Sequence, residues 1–476
     1  MSFNSFSYLL IFLPVVVGVS HVTRRLPWKR GAQAWIVLAS LLFYAYSKPF
    51  NLVYLFISIF ANWYWARWIG ASLGNRRLRI LQLSLLFNIS YLSLFKYLNF
   101  FISSVPWLVA HGIHVPDFGF PLGISFFTVA QIMYLVDCYE ELIPPSSLFD
   151  HVTFVTFFPY VISGPISRAK RILHQVPKLS DAAAPSADTV VRALSLLAIG
   201  LLKKVVFADA FSTVADFGWT HIPALSSAEA LTSITSYAFQ LYFDFSGYSD
   251  IAVASALLLD IQLPINFDAP LRSTSIIEFW KRWHITLSAF ITTYLYTPIL
   301  RSFQKATVHT AAIATITAMT IAGLWHGPNW TFVIFGAIHG IALAINQYWK
   351  KWKLPIIPNW SGWLLTLFVV DIGFVFFRSP DLQTSLLLLA RLFNWSNFFG
   401  RSAFIEMDGL EWTNRLILIV PQAVGVFVAL VGKSSDEFAR DIQPTWKTCA
   451  FTTACLFLVL TYLNSSVSRP FVYFAF

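Results

Sequence analysis

Runs of about twenty predominantly apolar residues recur along the whole chain, and that length is what an α-helix needs to cross a bilayer. Candidates lie near 5–22, 32–48, 50–70, 80–102, 121–139, 188–206, 230–256, 308–326, 329–348, 360–377, 413–432 and 447–465 of the 476 residues. Only 12% of the residues are charged, against 57% hydrophobic. A soluble domain carries roughly 25% charged residues, and half that allowance cannot cover a water-facing surface. A cytosolic or secreted globule is excluded. The 17% aromatic share suits membrane interfaces, where tryptophan and tyrosine collect. The expected fold class is an all-α polytopic membrane protein with about twelve transmembrane helices. The stretches 149–167 and 272–300 are apolar but interrupted by Pro, Gly or charge, and read as re-entrant or interfacial helices.

The net charge of +10 comes from basic bursts between the apolar runs rather than from a nucleic-acid-binding face. Arg24 to Arg30, then Arg76, Arg77 and Arg79, Arg168 to Lys178, Arg272 to Lys305, Lys350 to Lys353 and Lys433 to Lys447 all fall on one side of the proposed spans. The alternate loops 103–120 and 207–229 hold no Lys or Arg. The positive-inside rule then puts the basic loops in the cytoplasm and both termini outside. The first apolar run continues into Arg24 without a small-residue cleavage site, so it reads as a retained helix. Cys138, Cys449 and Cys455 are too few and scattered for a disulfide framework or a metal site. No internal repeat or soluble-domain linker is visible. The chain reads as one integral-membrane domain, with helices 1–94, a motif-bearing core 95–350 and closing helices 351–476.

Three segments place polar groups where burial is costly. In Gln240 to Asp250, Asp244, Ser246, Tyr248, Ser249 and Asp250 interrupt an apolar run. Asp244 and Tyr248 share one helix face, as do Ser246 and Asp250. The residues form either a polar wall along a water-accessible cavity or a hydrogen-bond network locking helices together. In Ile277 to His284, Glu278 and Arg282 are spaced to pair, while Trp280 and His284 share another face. Lys281 and Arg282 beside two tryptophans describe a helix at the inner interface, and the apolar residues after His284 carry it inward. The third segment is Gly323-Leu-Trp325-His326-Gly-Pro-Asn329-Trp330, where Gly327-Pro328 breaks a helix between two near-spanning runs. Broken backbone at depth survives only beside protein or a water-filled cavity. A histidine there can stay neutral and act as a base, or serve as a core histidine bonded to a carbonyl. His339 can fill the same role. There is no GxSxG elbow, P-loop, HExxH or dinucleotide turn, so no bound cofactor or metal is expected.

These segments resemble the membrane-bound O-acyltransferase family, within it the bacterial branch of the alginate and cellulose O-acetylation membrane subunits. The matching stretches are Phe120 to Phe126, Phe158 to Pro165, Leu201 to Lys204 with Asp209, Gln240 to Asp250, Glu278 to Ser288, Leu324 to Gly327 and the closing Pro470 to Phe476. The resemblance implies helices around a central tunnel, with His326 as the catalytic histidine by its Trp-His-Gly motif. It implies His284 as the second hallmark histidine, by Phe-Trp-Lys-Arg-Trp-His. Asp244, Ser246, Tyr248, Asp250, Trp325, Asn329, His339, Lys281 and Arg282 are the expected tunnel and substrate-binding residues. Also implied are acetyl-CoA as a cytoplasmic donor substrate and a hydroxyl acceptor outside the bacterial inner membrane. The acetyl group would reach an exopolysaccharide through a periplasmic acetyltransferase partner. After His284 the chain reads Ile291-Thr-Thr-Tyr-Leu-Tyr296, where alginate-type members carry Arg-Asp-Tyr-Leu-Tyr. D-alanyl or longer-chain acyl transfer, a secondary transporter and an assembly scaffold are the alternatives.

Overall fold

The computed structural model describes all residues except 26, 29, 113–119, 181–184, 399, 401–411, 466–470 and 473–476. Lys29 of the first basic loop and most of the closing motif 470–476 lie outside the described residues. Among the described residues every regular element is helical. Six helices among the described residues are long and apolar enough to cross a membrane: Ser7–Arg24, Gly74–Lys96, Val308–His326, Trp330–Lys351, Asn359–Arg378 and Trp446–Leu463. Shorter apolar helices are Gly31–Ala45, Ile124–Tyr139, Leu382–Leu392 and Ile419–Leu430.

The expected dozen is therefore established only as a polytopic helical architecture, and the differences have local causes. The run 32–48 yields a helix of 15 residues, Gly31–Ala45, which ends ahead of Pro49. Asn51–Gly70 and Ser227–Leu258 are long enough but interleave Asn, Trp, Tyr, Ser and Asp with their aliphatic residues. At Lys203 the helix Ala187–Leu202 gives way to a π-helical turn, Lys203–Ala208.

The chain divides into two compact units. The first comprises 1–194 and 251–264. Its core is aromatic: Phe43 contacts Phe158 at 5.7 Å between ring centroids and Phe12 meets Phe158 edge-on at 5.3 Å. Asn62 and Asn88 exchange amide hydrogen bonds of 3.1 and 2.6 Å between the helices Asn51–Gly70 and Gly74–Lys96. Such reciprocal bonds join helices where no water competes. The Phe120–Phe126 and Phe158–Pro165 motifs are both held by the helix Gly31–Ala45. Tyr44 donates to the Leu122 carbonyl at 2.6 Å, and Ser40 Oγ accepts from the Phe158 N–H at 3.1 Å.

The second unit comprises 195–250 and 265–476, and every candidate site residue falls within it. Its centre is a helical hairpin, Val308–His326 and Trp330–Lys351. Thr307 and Thr310 form a reciprocal cap at the start of the first helix, satisfying N–H groups that the helix cannot. The two helices pack through small residues: a Cβ on Gly336 would lie 3.0 Å from Gly323 Cα. Close backbone approach of this kind is how membrane helices gain contact. The segment 272–300 follows the expected interruption, with short helices Ile276–Arg282 and Ile285–Phe290 and a π-helical turn Ile291–Tyr296.

Candidate active site

The helix Val308–His326 ends at the expected residue. Gly327 is fully extended, and Asn329 opens the next helix by accepting the Thr331 N–H at 3.1 Å. Asn329 also donates to the Pro380 carbonyl at 2.6 Å, which ties the break to the start of the helix Leu382–Leu392. His326 thus stands on the last turn of a near-spanning helix, 6% exposed. Trp325, Phe377 and Phe335 surround its imidazole with ring centroids at 5.1, 5.2 and 5.9 Å.

His284 is placed differently from expectation. The helix Ile276–Arg282 stops one residue before Trp283, and His284 itself takes left-handed backbone geometry, φ 42° and ψ 54°. Trp280 and His284 therefore do not share a helix face. A β-carbon-bearing residue in that region costs of order 1–3 kcal/mol and persists only where neighbours over-determine it. The neighbour here is Asn266. Its side-chain oxygen accepts from the Thr286 N–H at 3.2 Å and the Thr286 hydroxyl at 2.8 Å, and its own carbonyl accepts the Ile285 N–H at 2.9 Å. That same side-chain oxygen meets His284 Nδ1 at 3.1 Å, so Nδ1 is the protonated nitrogen and Nε2 keeps its lone pair. Nε2 is buried and has no hydrogen-bond partner among the described residues. Phe245 closes edge-on over the ring at 4.7 Å.

His339 has the opposite tautomer. Its Nδ1 accepts from the Trp280 indole N–H at 3.3 Å, which leaves the proton on Nε2. Ring contacts connect the three histidines. Phe335 touches both His326 and His339, at 5.9 and 4.8 Å. Phe377, Phe374, Trp283 and Phe267 continue the series to His284.

The polar face of 240–250 is built as an ion-pair lock. Asp244, 1% exposed, pairs with Lys204, and Asp250 pairs with Lys203 at 2.8 Å. Lys203 also donates to Ser435, and Asp244 accepts the Val472 N–H at 2.9 Å. Gly247 makes this reach possible: a Cβ there would fall 2.6 Å from the Gly200 carbonyl. Of the two readings of this face, its carboxylates follow the network that locks helices. Tyr248 stacks on Phe471 at 4.4 Å. Ser246 Oγ is buried without a partner among the described residues.

Arg282 pairs with Glu278 at 3.0 Å, as its spacing predicts, and approaches Asp268 at 3.6 Å. Burial works to raise the Glu278 pKa. The Thr274 N–H and hydroxyl, with Arg282, outweigh it and hold the carboxyl below its ordinary value. Lys281 faces an open cleft of about 670 Å³, whose walls include Trp280, Ala289, Thr292, Met319 and Gln347.

Sequence reasoning missed Asn266, Lys203 and Lys204 as partners of the candidate residues. Two lysines inside an apolar run, matched by two aspartates in another, were the available signal, because charges at depth pair. Nothing local marks Asn266.

Residues 78–361 match the model of the "MBOAT, membrane-bound O-acyltransferase family". The chain is also 32% identical to the peptidoglycan O-acetyltransferase of Helicobacter pylori, over 100% of this chain and 97% of that one. The chain belongs to the membrane-bound O-acyltransferase family. It is 33% identical to the probable alginate O-acetylase of Pseudomonas aeruginosa, over 93% of this chain and 86% of the relative. A teichoic acid D-alanyltransferase of Streptococcus thermophilus is 31% identical over 49% of this chain and 59% of its own. The matched region contains His284, His326 and His339, and the protein is a multi-pass membrane O-acyltransferase.

Proposed function

We propose that this O-acyltransferase passes acetyl groups from cytoplasmic acetyl-CoA to hydroxyls of a cell-envelope or exported polysaccharide. The observation that carries the reading is His326, a buried imidazole at the end of a broken helix inside the matched region. In the transfer the acceptor oxygen bonds to the acetyl carbon, the thioester C–S bond breaks, and His326 takes the hydroxyl proton and returns it to the departing thiolate. Lys281 gives the cleft a positive charge suited to an anionic donor. The names of the Helicobacter and Pseudomonas relatives support a polymer acceptor and an acetyl group. The Streptococcus relative favours D-alanyl transfer as a second reading, over a shorter match. The transporter and scaffold readings have no comparable support.

We read residues 1–476 as one catalytic domain in a bacterial inner membrane, with both termini in the periplasm. A passage narrowed at His326 runs through it, and a periplasmic acetyltransferase accepts the group. The proposed external stretches 103–120, 207–229 and 378–412 are too short to hold a polymer without help. The test reconstitutes the protein with its neighbouring periplasmic partner in liposomes loaded with labelled acetyl-CoA. Label on external glycan, lost with His326→Ala, is the expected result. Transfer of D-alanine but not acetyl would replace the donor, and intact solute movement without acyl transfer would overturn the reading.

A further inference from the structure

His339 lies too deep to meet a substrate, yet the fold makes room for it. The residue is 0% exposed, between Phe335 at 4.8 Å and Phe279, whose ring lies nearly parallel to it at 6.3 Å. On its far side Gly373 faces Nε2, and a Cβ at that position would sit only 2.6 Å from the nitrogen. The slot is shaped to the imidazole. Among the described residues the ring's one hydrogen bond runs to Trp280, whose indole stands perpendicular to it at 5.3 Å. Trp280 in turn forms a wall of the 670 Å³ cleft beside Lys281. A buried indole N–H needs a partner, and His339 Nδ1 supplies it in a direction that fixes the ring against the cleft.

We propose that His339 is a positioning residue: through its Nδ1 it holds Trp280 as a fixed wall of the Lys281 cleft, and so sets how tightly the acyl donor binds there. It takes no part in proton transfer. The nitrogen that would act as a base is occupied by the indole N–H, and the other carries a proton directed at Gly373. The assignment of the cleft to the donor rests on the function proposed above; the placing of Trp280 does not.

The experiment uses the full chain in proteoliposomes with three variants. His339→Leu removes the acceptor, Trp280→Phe removes the donor while keeping a ring, and His339→Asn restores an amide oxygen near the place of Nδ1. One readout is the alkylation rate of a thiol introduced by Ala289→Cys, with exposed Cys449 replaced by Ser. The other is the KM and kcat for acetyl-CoA. Losing one hydrogen bond should change the alkylation rate and raise KM by about three- to tenfold, with kcat held within about twofold. His339→Leu and Trp280→Phe should agree, their double variant should be no worse, and His339→Asn should recover most of the loss without moving the pH profile of kcat. Native alkylation and native KM in Trp280→Phe would overturn the proposal, even if His339→Leu fails to fold. So would a collapse of kcat at unchanged KM in His339→Asn, which would assign His339 to proton chemistry. Changed alkylation with native KM would retain the positioning of Trp280 and remove the donor from the cleft.

Discussion

At 326–330 the helix is stopped by residues that stand within the break itself: Gly327, Pro328 and the capping Asn329. At 282–286 the chain turns without a proline or glycine, and His284 is held in left-handed geometry by Asn266, eighteen residues away. Both sites bury an imidazole among aromatic rings, yet one break is written locally and the other is imposed by tertiary contact. The first gives a histidine fixed by the end of its own helix. The second gives a histidine whose tautomer and backbone depend on one amide. Consequently the two should respond differently to substitution, at the histidine and at its support.

The largest effect is expected at His326. A positioned general base contributes about 10² to 10⁴ in rate, so His326→Ala should lose that much acetyl transfer while still inserting in the membrane. Alanine favours helix and fits the last turn, which keeps the loss chemical. His284→Ala should also impair transfer, through its open Nε2 or through donor placement. If His284→Ala removes transfer and His326→Ala keeps it, the roles of the two breaks are reversed.

Next in size is the amide that supports His284. Asn266→Ala would remove the oxygen that accepts from the Thr286 N–H and hydroxyl and from the His284 Nδ1 proton. An unsatisfied buried group costs about 1–3 kcal/mol. The expected outcome is a lower melting temperature in detergent together with transfer reduced as in His284→Ala. Asn266→Asp keeps an acceptor oxygen and should fall less. Equal loss in both variants would show that the amide's bond to Ser249, 3.3 Å through its nitrogen, matters more than its oxygen.

This contrast also explains what was legible beforehand. The helix end at His326 could be read because proline and glycine act on their immediate neighbours. The pairing of Glu278 with Arg282 was readable for the same reason, since four residues make one helical turn. The shared face of Trp280 and His284 assumed that the helix continued. It ends because Asn266 offers the backbone other partners, and an irregular segment leaves no periodic trace. The lysines opposite Asp244 and Asp250 were visible as charges, but which helix approaches which depends on Gly247 contacting Gly200, a distant event in sequence.

A local break should be specified redundantly, and Pro328 tests that. Asn329 still caps the following helix and bonds the Pro380 carbonyl without it. Pro328→Ala should therefore cost about 0.4–1 kcal/mol, mainly through the freer unfolded chain, and leave transfer close to native. A loss approaching that of His326→Ala would show that the proline alone holds the histidine, and would undo the contrast with Asn266.

The smallest expected effect concerns Glu278, which stands between the two modes. Its carboxylate is bound locally by Thr274 and Arg282, but it opens the short helix that delivers the chain to His284. Because its folded pKa lies below the ordinary value of 4.5, the folded state holds this proton more weakly than the unfolded chain does. The resulting stability is present in full above the unfolded value and is lost as pH falls through the lowered folded one. Glu278→Gln keeps an acceptor for the Thr274 N–H but removes the charge. Near neutral pH the native protein should melt above the variant by a small margin, as expected of a partly exposed pair screened by solvent. Below about pH 4 the margin should narrow as the native carboxyl takes up its proton. A margin that persists unchanged at acid pH would mean that the carboxylate charge contributes nothing. The turn at His284 would then rest on Asn266 alone.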